Sequence, residues 1–294
     1  MEMNKRLLKI VLAAVGALSV ACLVAILYLA LDEPVFLKHY YDIRTYEENE
    51  HMQEISFNLV YITNVGENRT VTQISFLESP EMIIHASEYS HINSFPWGSD
   101  QANIPGEVHG RYSVRTIYCQ VDLFAENVEI DGKVLSQANV YFSDGSKMNV
   151  DLGELQLYVH RTMDQSFEGM SSSGSSDGSS STRYRATEEA TLVSVESPML
   201  HRFADRLDLK INDHVIDGIK GLKIEEGKYM EVKSKLYTGG DPLNVYSMID
   251  LHPEIIYMNA AGDRRSLRFY NVDSLYHSFN FMDIYRYLAA REVL

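Results

Sequence analysis

The chain reads as mainly β: an N-terminal transmembrane helix, two antiparallel β-sandwich domains joined by a Ser/Gly linker, and a short C-terminal helix. Three observations predict this. Ile10 to Leu31 is a run of 22 uncharged, mostly apolar residues. Beyond it, apolar residues recur with a period of two in short segments bounded by Gly, Asn and Asp, the signature of half-buried strands. Between two groups of such segments, Ser171 to Thr182 holds only Ser, Gly, Asp and Thr, a composition with nothing to bury against chain entropy.

As a helix the apolar run would extend about 33 Å, enough to cross a hydrocarbon core of about 30 Å. Lys5, Arg6 and Lys9 precede it and Asp32 and Glu33 follow, and positive charge favours the cytoplasmic side. Residues 1–9 are therefore expected in the cytoplasm, residues 10–31 in the lipid bilayer and the bulk of the chain outside, as in a single-pass cell-membrane protein. A cleaved signal has an apolar region of about 7–15 residues and small residues before its cleavage site; here Tyr28 would stand at the −3 position. Ser19-Val20-Ala21-Cys22 resembles a bacterial lipobox, but Ser19 replaces the aliphatic residue and nine uncharged residues follow Cys22. The uncleaved anchor is the preferred reading.

The chain carries 26 basic and 41 acidic residues. Without Lys5, Arg6, Lys9 and Glu2 the remainder holds 23 and 40, a net of about −17 that disfavours nucleic acid and anionic lipid headgroups as partners. Cys22 and Cys119 are the two cysteines, so no disulfide can join folded segments of the exterior. Such a region must rely on hydrophobic cores, which suits a Gram-positive bacterial surface better than a eukaryotic one.

Residues 32–49 carry Tyr40, Tyr41 and Tyr46 among charges and read as a juxtamembrane stalk. Residues 50–163 form the first domain. Ile55, Phe57, Leu59 and Tyr61 alternate with Ser56 and Asn58, and Ile117, Cys119, Val121 and Leu123 repeat the pattern. Asp131-Gly132 and Asp144-Gly145 supply the positive-φ pair of tight hairpins.

Residues 164–185 form the linker and residues 186–294 the second domain. Leu207, Leu209 and Ile211 alternate with charged residues, as do Met230, Val232 and Leu236. Glu254 to Met258 and Leu267 to Val272 read as a hairpin around Asn259 to Arg264. Phe281, Ile284, Tyr285 and Leu288 fall at helical spacing behind Asn280, a residue suited to cap them. Short strands without intervening helices point to sandwiches.

Val60-Tyr61-Ile62-Thr63-Asn64-Val65-Gly66, Phe142-Ser143-Asp144-Gly145, Asp151-Leu152-Gly153-Glu154-Leu155 and Tyr285-Arg286-Tyr287-Leu288 resemble segments of uncharacterised membrane-anchored Firmicutes proteins. The resemblance implies immunoglobulin-like exterior domains and a surface location. It implies no activity, because such sandwiches host unrelated functions.

Chemistry-bearing patterns are sparse. Gly174-Ser175-Ser176-Asp177-Gly178 matches the G-x-S-x-G nucleophile pattern, which needs a strained strand-to-helix turn that a Ser/Gly tract does not supply. His85, His91 and His109 share one region without metal-ligand spacing. Cys119 continues an apolar face and reads as buried and unreactive. Residues 79–110 are long and weakly periodic and hold Phe95, Pro96 and Trp97 beside Gly98. These three are the candidate partner-binding residues, since aromatic side chains at a loop tip offer large contact area; the competing role for Trp97 is a lid on the sandwich end. The expected function is a membrane-anchored extracytoplasmic binding or scaffolding protein with a protein or cell-wall partner, no cofactor, no metal and no catalytic residues. The alternative is an extracytoplasmic enzyme acting on cell-envelope material.

Overall fold

The computed structural model describes residues 5–48, 51–52, 55–88, 106–121, 130–160, 166–175, 177–237, 239–270, 272–275 and 277–294. The chain is mainly β. It opens with α1 (Lys5–Tyr28), on which Ile10, Leu12, Leu18, Val20 and Val24 are exposed. Side chains along α1 are described for Leu8 to Val20, Val24 and Tyr28. Among the described residues no helix is long and apolar enough to cross a membrane.

The strands that follow are β1 (Val35–Phe36), β2 (His39–Glu48), β3 (His51–Met52) and β4 (Ile55–Asn64). Next come β5 (Val71–Phe76), β6 (Ser79–Ser87), β7 (Glu107–His109), β8 (Tyr112–Val121), β9 (Val134–Phe142) and β10 (Lys147–His160). They form a sheet in the order β1-β4-β8-β6-β5-β9-β10-β2, with β3 beside β2 and β7 beside β8. The alternation expected in β4 is present: Ile55, Phe57, Leu59 and Tyr61 are buried while Ser56 and Asn58 are exposed. β4 pairs antiparallel with β8 from Ile55↔Val121 to Asn64↔Tyr112, which puts Cys119 in the core at 2% exposure. β9 and β10 meet through the Asp144-Gly145 turn, where Gly145 has φ 83°.

The second group comprises β11 (Phe167–Gly174), β12 (Ser179–Ala186), β13 (Ala190–Glu196), β14 (Leu207–Ile211), β15 (His214–Val215), β16 (Lys223–Ile224) and β17 (Tyr229–Leu236). After α2 (Pro242–Val245) come β18 (Met248–Leu251), β19 (Glu254–Met258), β20 (Arg264–Arg268), β21 (Val272–Ser274) and α3 (Phe281–Ala290). One sheet runs β11-β12-β17-β14-β15 and another β16-β13-β19-β20. β19 and β20 form the expected hairpin. Asn280 caps α3 as expected: its Oδ1 accepts from the Met282 and Asp283 N–H groups at 2.9 and 3.0 Å. Ile284, Tyr287 and Leu288 are its buried residues.

Three expectations are corrected. The Ser/Gly tract is not a coil linker: Phe167–Gly174 and Ser179–Ala186 pair antiparallel, Ser171 opposite Arg183 and Ser172 opposite Thr182. Backbone hydrogen bonds need no apolar side chain, and pairing of β12 with β17 holds the tract on its other side. Nor are residues 32–49 a stalk. Leu31 is buried, and Asn64 clamps it by accepting its N–H at 3.1 Å and donating to its carbonyl at 2.7 Å, while the Tyr112 hydroxyl donates to Leu29 O at 2.7 Å. β2 then runs parallel to β10 through eight residue pairs, from Gly153↔His39 to His160↔Tyr46. Burial lowers His39 to about pKa 3, so its neutral imidazole accepts the Val60 N–H at 2.9 Å and ties β2 to β4.

The third correction concerns the boundary after residue 185. β18 pairs parallel with β2 and antiparallel with β21, so strands from beyond residue 186 complete the first sheet. Among the described residues there are two hydrophobic clusters, and β18 feeds both: Met248 joins the first, Ile249 and Leu251 the second. β2 does the same, with Tyr41 and Ile43 in the first cluster and Tyr40 against the second. The period of two in a strand makes β2 and β18 a shared wall. Ile284, Tyr287 and Leu288 of α3 also lie in the first cluster.

Candidate functional site

Where β2, β18 and β21 stand opposite β4 and β8, the structure leaves a cleft of about 1230 Å³. One wall presents Tyr41, Ile43 and Thr45 of β2, Asp250 of β18 and Asp273 of β21; Asn58 of β4 and Tyr118 of β8 line the cleft too. Local sequence explains each placement. Tyr41, Ile43 and Thr45 fall on one side of β2 because alternate residues of a strand share a face. Asp250 is the register partner of Tyr41 on one side and of Asp273 on the other, so Tyr41, Asp250 and Asp273 form a row across three strands.

His252, directly after β18, also lines the cleft. Its main-chain N–H donates to Asp42 Oδ2 at 2.7 Å. Its ring is held at both nitrogens, with Tyr158 Oη 2.9 Å from Nδ1 and Asp250 Oδ1 3.1 Å from Nε2. Arg268 donates to His252 O at 2.8 Å and lays its guanidinium 3.9 Å from the Tyr158 ring centroid. The Tyr270 ring lies 4.8 Å from the imidazole, and the Arg44 guanidinium sits over it at 4.9 Å. With both ring nitrogens engaged and Tyr158 buried, the group orients the cleft wall.

The electrostatics are lopsided. Burial raises the Asp42 carboxyl above its ordinary range, more than the His252 N–H bond lowers it. Partial desolvation, then the charge of Asp250, raises Asp273. Like charges directly opposite on neighbouring strands repel. Burial also lowers His277, which keeps its imidazole neutral beside Ser247 O at 3.2 Å. On the opposite wall Glu88 is compensated. Its Oε1 accepts from the Tyr61 hydroxyl and the Val71 N–H, both at 2.6 Å, and its Oε2 lies 3.2 Å from Arg115 Nη1. Arg115 donates further to Arg69 O at 2.9 Å.

Of the residues singled out from sequence, Phe95, Pro96 and Trp97 lie outside the described residues, as does His91. Glu88 and Gly106, which bound that segment, both line the cleft. His85 is exposed on β6, and His109 lies on β7 with Glu107 3.5 Å away. Among the described residues no cluster of three or more His, Cys, Asp or Glu side chains could hold a metal ion. Gly174 and Gly178 flank the β11–β12 turn, where Asp177 Oδ1 accepts from the Ser179 N–H at 3.1 Å, a hairpin and not a strand-to-helix elbow. Sequence reasoning missed Asp42, Thr45, Asp250, His252 and Asp273. Asp42 and Asp250 are separated by about two hundred residues, and no spacing rule reaches across that distance.

No protein-family pattern and no curated protein matches the chain. Among solved structures it is similar to a protein of unknown function from Porphyromonas gingivalis W83, at 12% identity over 78% of this chain and 95% of that one, TM-score 0.22. It is also similar to the D00-D0 domain of intimin (10% identity, 82% and 100% covered, TM-score 0.22). A third likeness is to fibronectin(III)-like modules of Clostridium thermocellum CbhA (11% identity, 85% and 99% covered, TM-score 0.17). No link to a Firmicutes family emerges from these likenesses.

Proposed function

We propose that this chain is a membrane-anchored binding or scaffolding protein with immunoglobulin-like β-sandwich character, its bulk outside the cytoplasm and its partner engaged at the β2–β18–β21 cleft. The observation that carries the reading is the cleft: an open volume of about 1230 Å³ walled by aromatic rings and by carboxylates raised through desolvation. Volume of that order with a few convergent polar groups is the usual form of a recognition site. The uncharged run from Ile10 to Leu31 behind Lys5, Arg6 and Lys9 supports the anchor and its orientation. Phe95, Pro96 and Trp97 remain the proposed contact residues, supported by the fact that the segment carrying them begins and ends at cleft-lining residues, Glu88 and Gly106.

The test is capture from the membrane. A photocrosslinking residue at Tyr118 of the full chain, expressed in its native host, should trap a discrete protein or cell-wall species. Trp97→Ala should weaken that capture several-fold with a nearly unchanged melting temperature, as hot-spot truncations do. Loss of stability with capture intact would make Trp97 a core lid. Turnover of the trapped species would move the reading to an envelope enzyme.

A further inference from the structure

We propose that the groove where α1 meets the β-structure is a lipid site. The headgroup of a zwitterionic phospholipid of the surrounding bilayer lies there against Leu29, Val65 and Phe281, with its phosphate at Arg111, and the folded body rests on the membrane without a spacer. This deepens the anchored reading and rests on it.

The first observation is where the apolar run ends. Ile10 to Leu31 is uncharged throughout, yet the β-structure already grips its last residues. The Tyr112 hydroxyl donates to Leu29 O, Asn64 binds both main-chain groups of Leu31, and the Leu31 side chain is buried. The polar layer on each side of a bilayer is only about 5–8 Å deep. With the run in the bilayer, the side chains that touch its end lie in that layer, because no polar tether separates the two.

The second observation is the groove at that place, about 710 Å³, with Leu29 itself in the lining. Val65 and Phe281 extend its apolar floor, and Arg111 and Glu67 supply its charged side chains. Phe281 stacks on Tyr112 with ring centroids 5.8 Å apart. Gly110 permits this, since a Cβ there would come within 2.9 Å of the Phe281 ring. Tyr28, at the end of α1, and Met282, beside Phe281, are 63% and 50% exposed. Aromatic rings with polar tips settle at headgroup depth.

The lining chemistry selects the lipid. A guanidinium matches phosphate with a planar fork of donors. Glu67 is compensated by Arg69, which donates to it at 2.6, 2.9 and 3.0 Å. An apolar floor beside the guanidinium suits a headgroup joined to its glycerol and acyl chains, whereas free phosphate would leave that floor wet. The net charge of −15 and the exposed Asp32 and Glu33 directly after the run disfavour an anionic headgroup.

The experiment uses the full-length protein with Cys22→Ser, reconstituted in phosphatidylcholine vesicles; Cys119 is buried. Gly66→Cys places a label on the groove, where an added Cβ meets nothing within 4 Å. Gly169→Cys on β11, equally open, is the control. Arg69 reaches Ser146 Oγ at 3.3 Å, so the groove lies by the start of β10, and Gly169 follows its far end. A fluorophore at position 66 should lose most of its emission to a lipid carrying a headgroup nitroxide, and one at position 169 should keep it. A benzophenone at position 66 should crosslink to phosphatidylcholine. Arg111→Gln should lower that yield several-fold and Arg111→Lys should retain most of it, with unchanged near-ultraviolet circular dichroism. Val65→Glu, which sets a carboxylate in the groove, should lower the yield as well and serves if Arg111→Gln does not fold. Flotation with the vesicles but no quenching at position 66, equal quenching at both positions, or a lipid yield indifferent to Arg111→Gln and Val65→Glu would overturn the lipid site and leave the anchor standing. Failure to float with the vesicles would remove the anchor and the lipid site together.

Discussion

Arg115 shows how one side chain can hold several segments. Its guanidinium is fully buried, pairs with Glu88, and donates to the carbonyls of Glu67 and Arg69. Removing one member of a buried pair leaves the other charge uncompensated, so Arg115→Met should destabilise the fold by about 3–5 kcal/mol in urea unfolding. Adding Glu88→Gln should recover part of that loss; a double variant worse than the single would show that the pair is not the source of the cost. Asp273 presents the opposite case, a group the fold disfavours in its charged form. Its folded carboxyl titrates above the ordinary 3.8, so the unfolded state ionises first and stability is lost as pH climbs from about 3.8 through the raised value. Asp273→Asn should therefore raise the melting temperature at pH 7, and the gain should vanish near pH 3, where both states are protonated. A gain independent of pH would deny the electrostatic cause.

At the scale of elements, β2 decides most. It lies between β10 and β18, paired parallel to both, and its approach to β10 depends on one glycine. Gly153 has φ 105°, and a Cβ there would come within 2.3 Å of His39 O. Gly153→Ala should cost more than about 1 kcal/mol, since positive φ is strained for alanine and the backbone must also move. Amide hydrogen exchange should localise the loosening to β2 and the adjoining end of β10. A variant as stable as the parent would show that the close approach is not required. The β11–β12 hairpin carries the converse lesson, that Ser and Gly side chains make a poor predictor where pairing on both sides of β12 supplies the order.

Across the whole molecule, β2 and β18 make the two cores share a wall, and α3 returns to the first core. Two hydrophobic clusters coupled in this way should unfold as one. Urea denaturation followed by fluorescence and by far-ultraviolet circular dichroism should give one coincident transition, and residues 32–165 alone should fail to fold, lacking β18, β21 and α3. Two separable transitions would restore independent domains.

What the amino-acid order determined by itself is local. The alternation in β4 and β8 specified their buried faces and placed Cys119 in the core; Asp144-Gly145 and Asn280 marked a turn and a helix start through backbone geometry and capping. These signals act within a few residues, where side-chain period and hydrogen bonding to neighbouring amides dominate. Tertiary structure alone decided that a charged, tyrosine-rich stretch after the helix becomes an interior strand, that a Ser/Gly tract becomes a hairpin, and that Asp250 stands between Tyr41 and Asp273. Each depends on which strand lies alongside, and strand pairing is set by backbone hydrogen bonds common to every residue type, so the partner's identity leaves no mark on the local pattern.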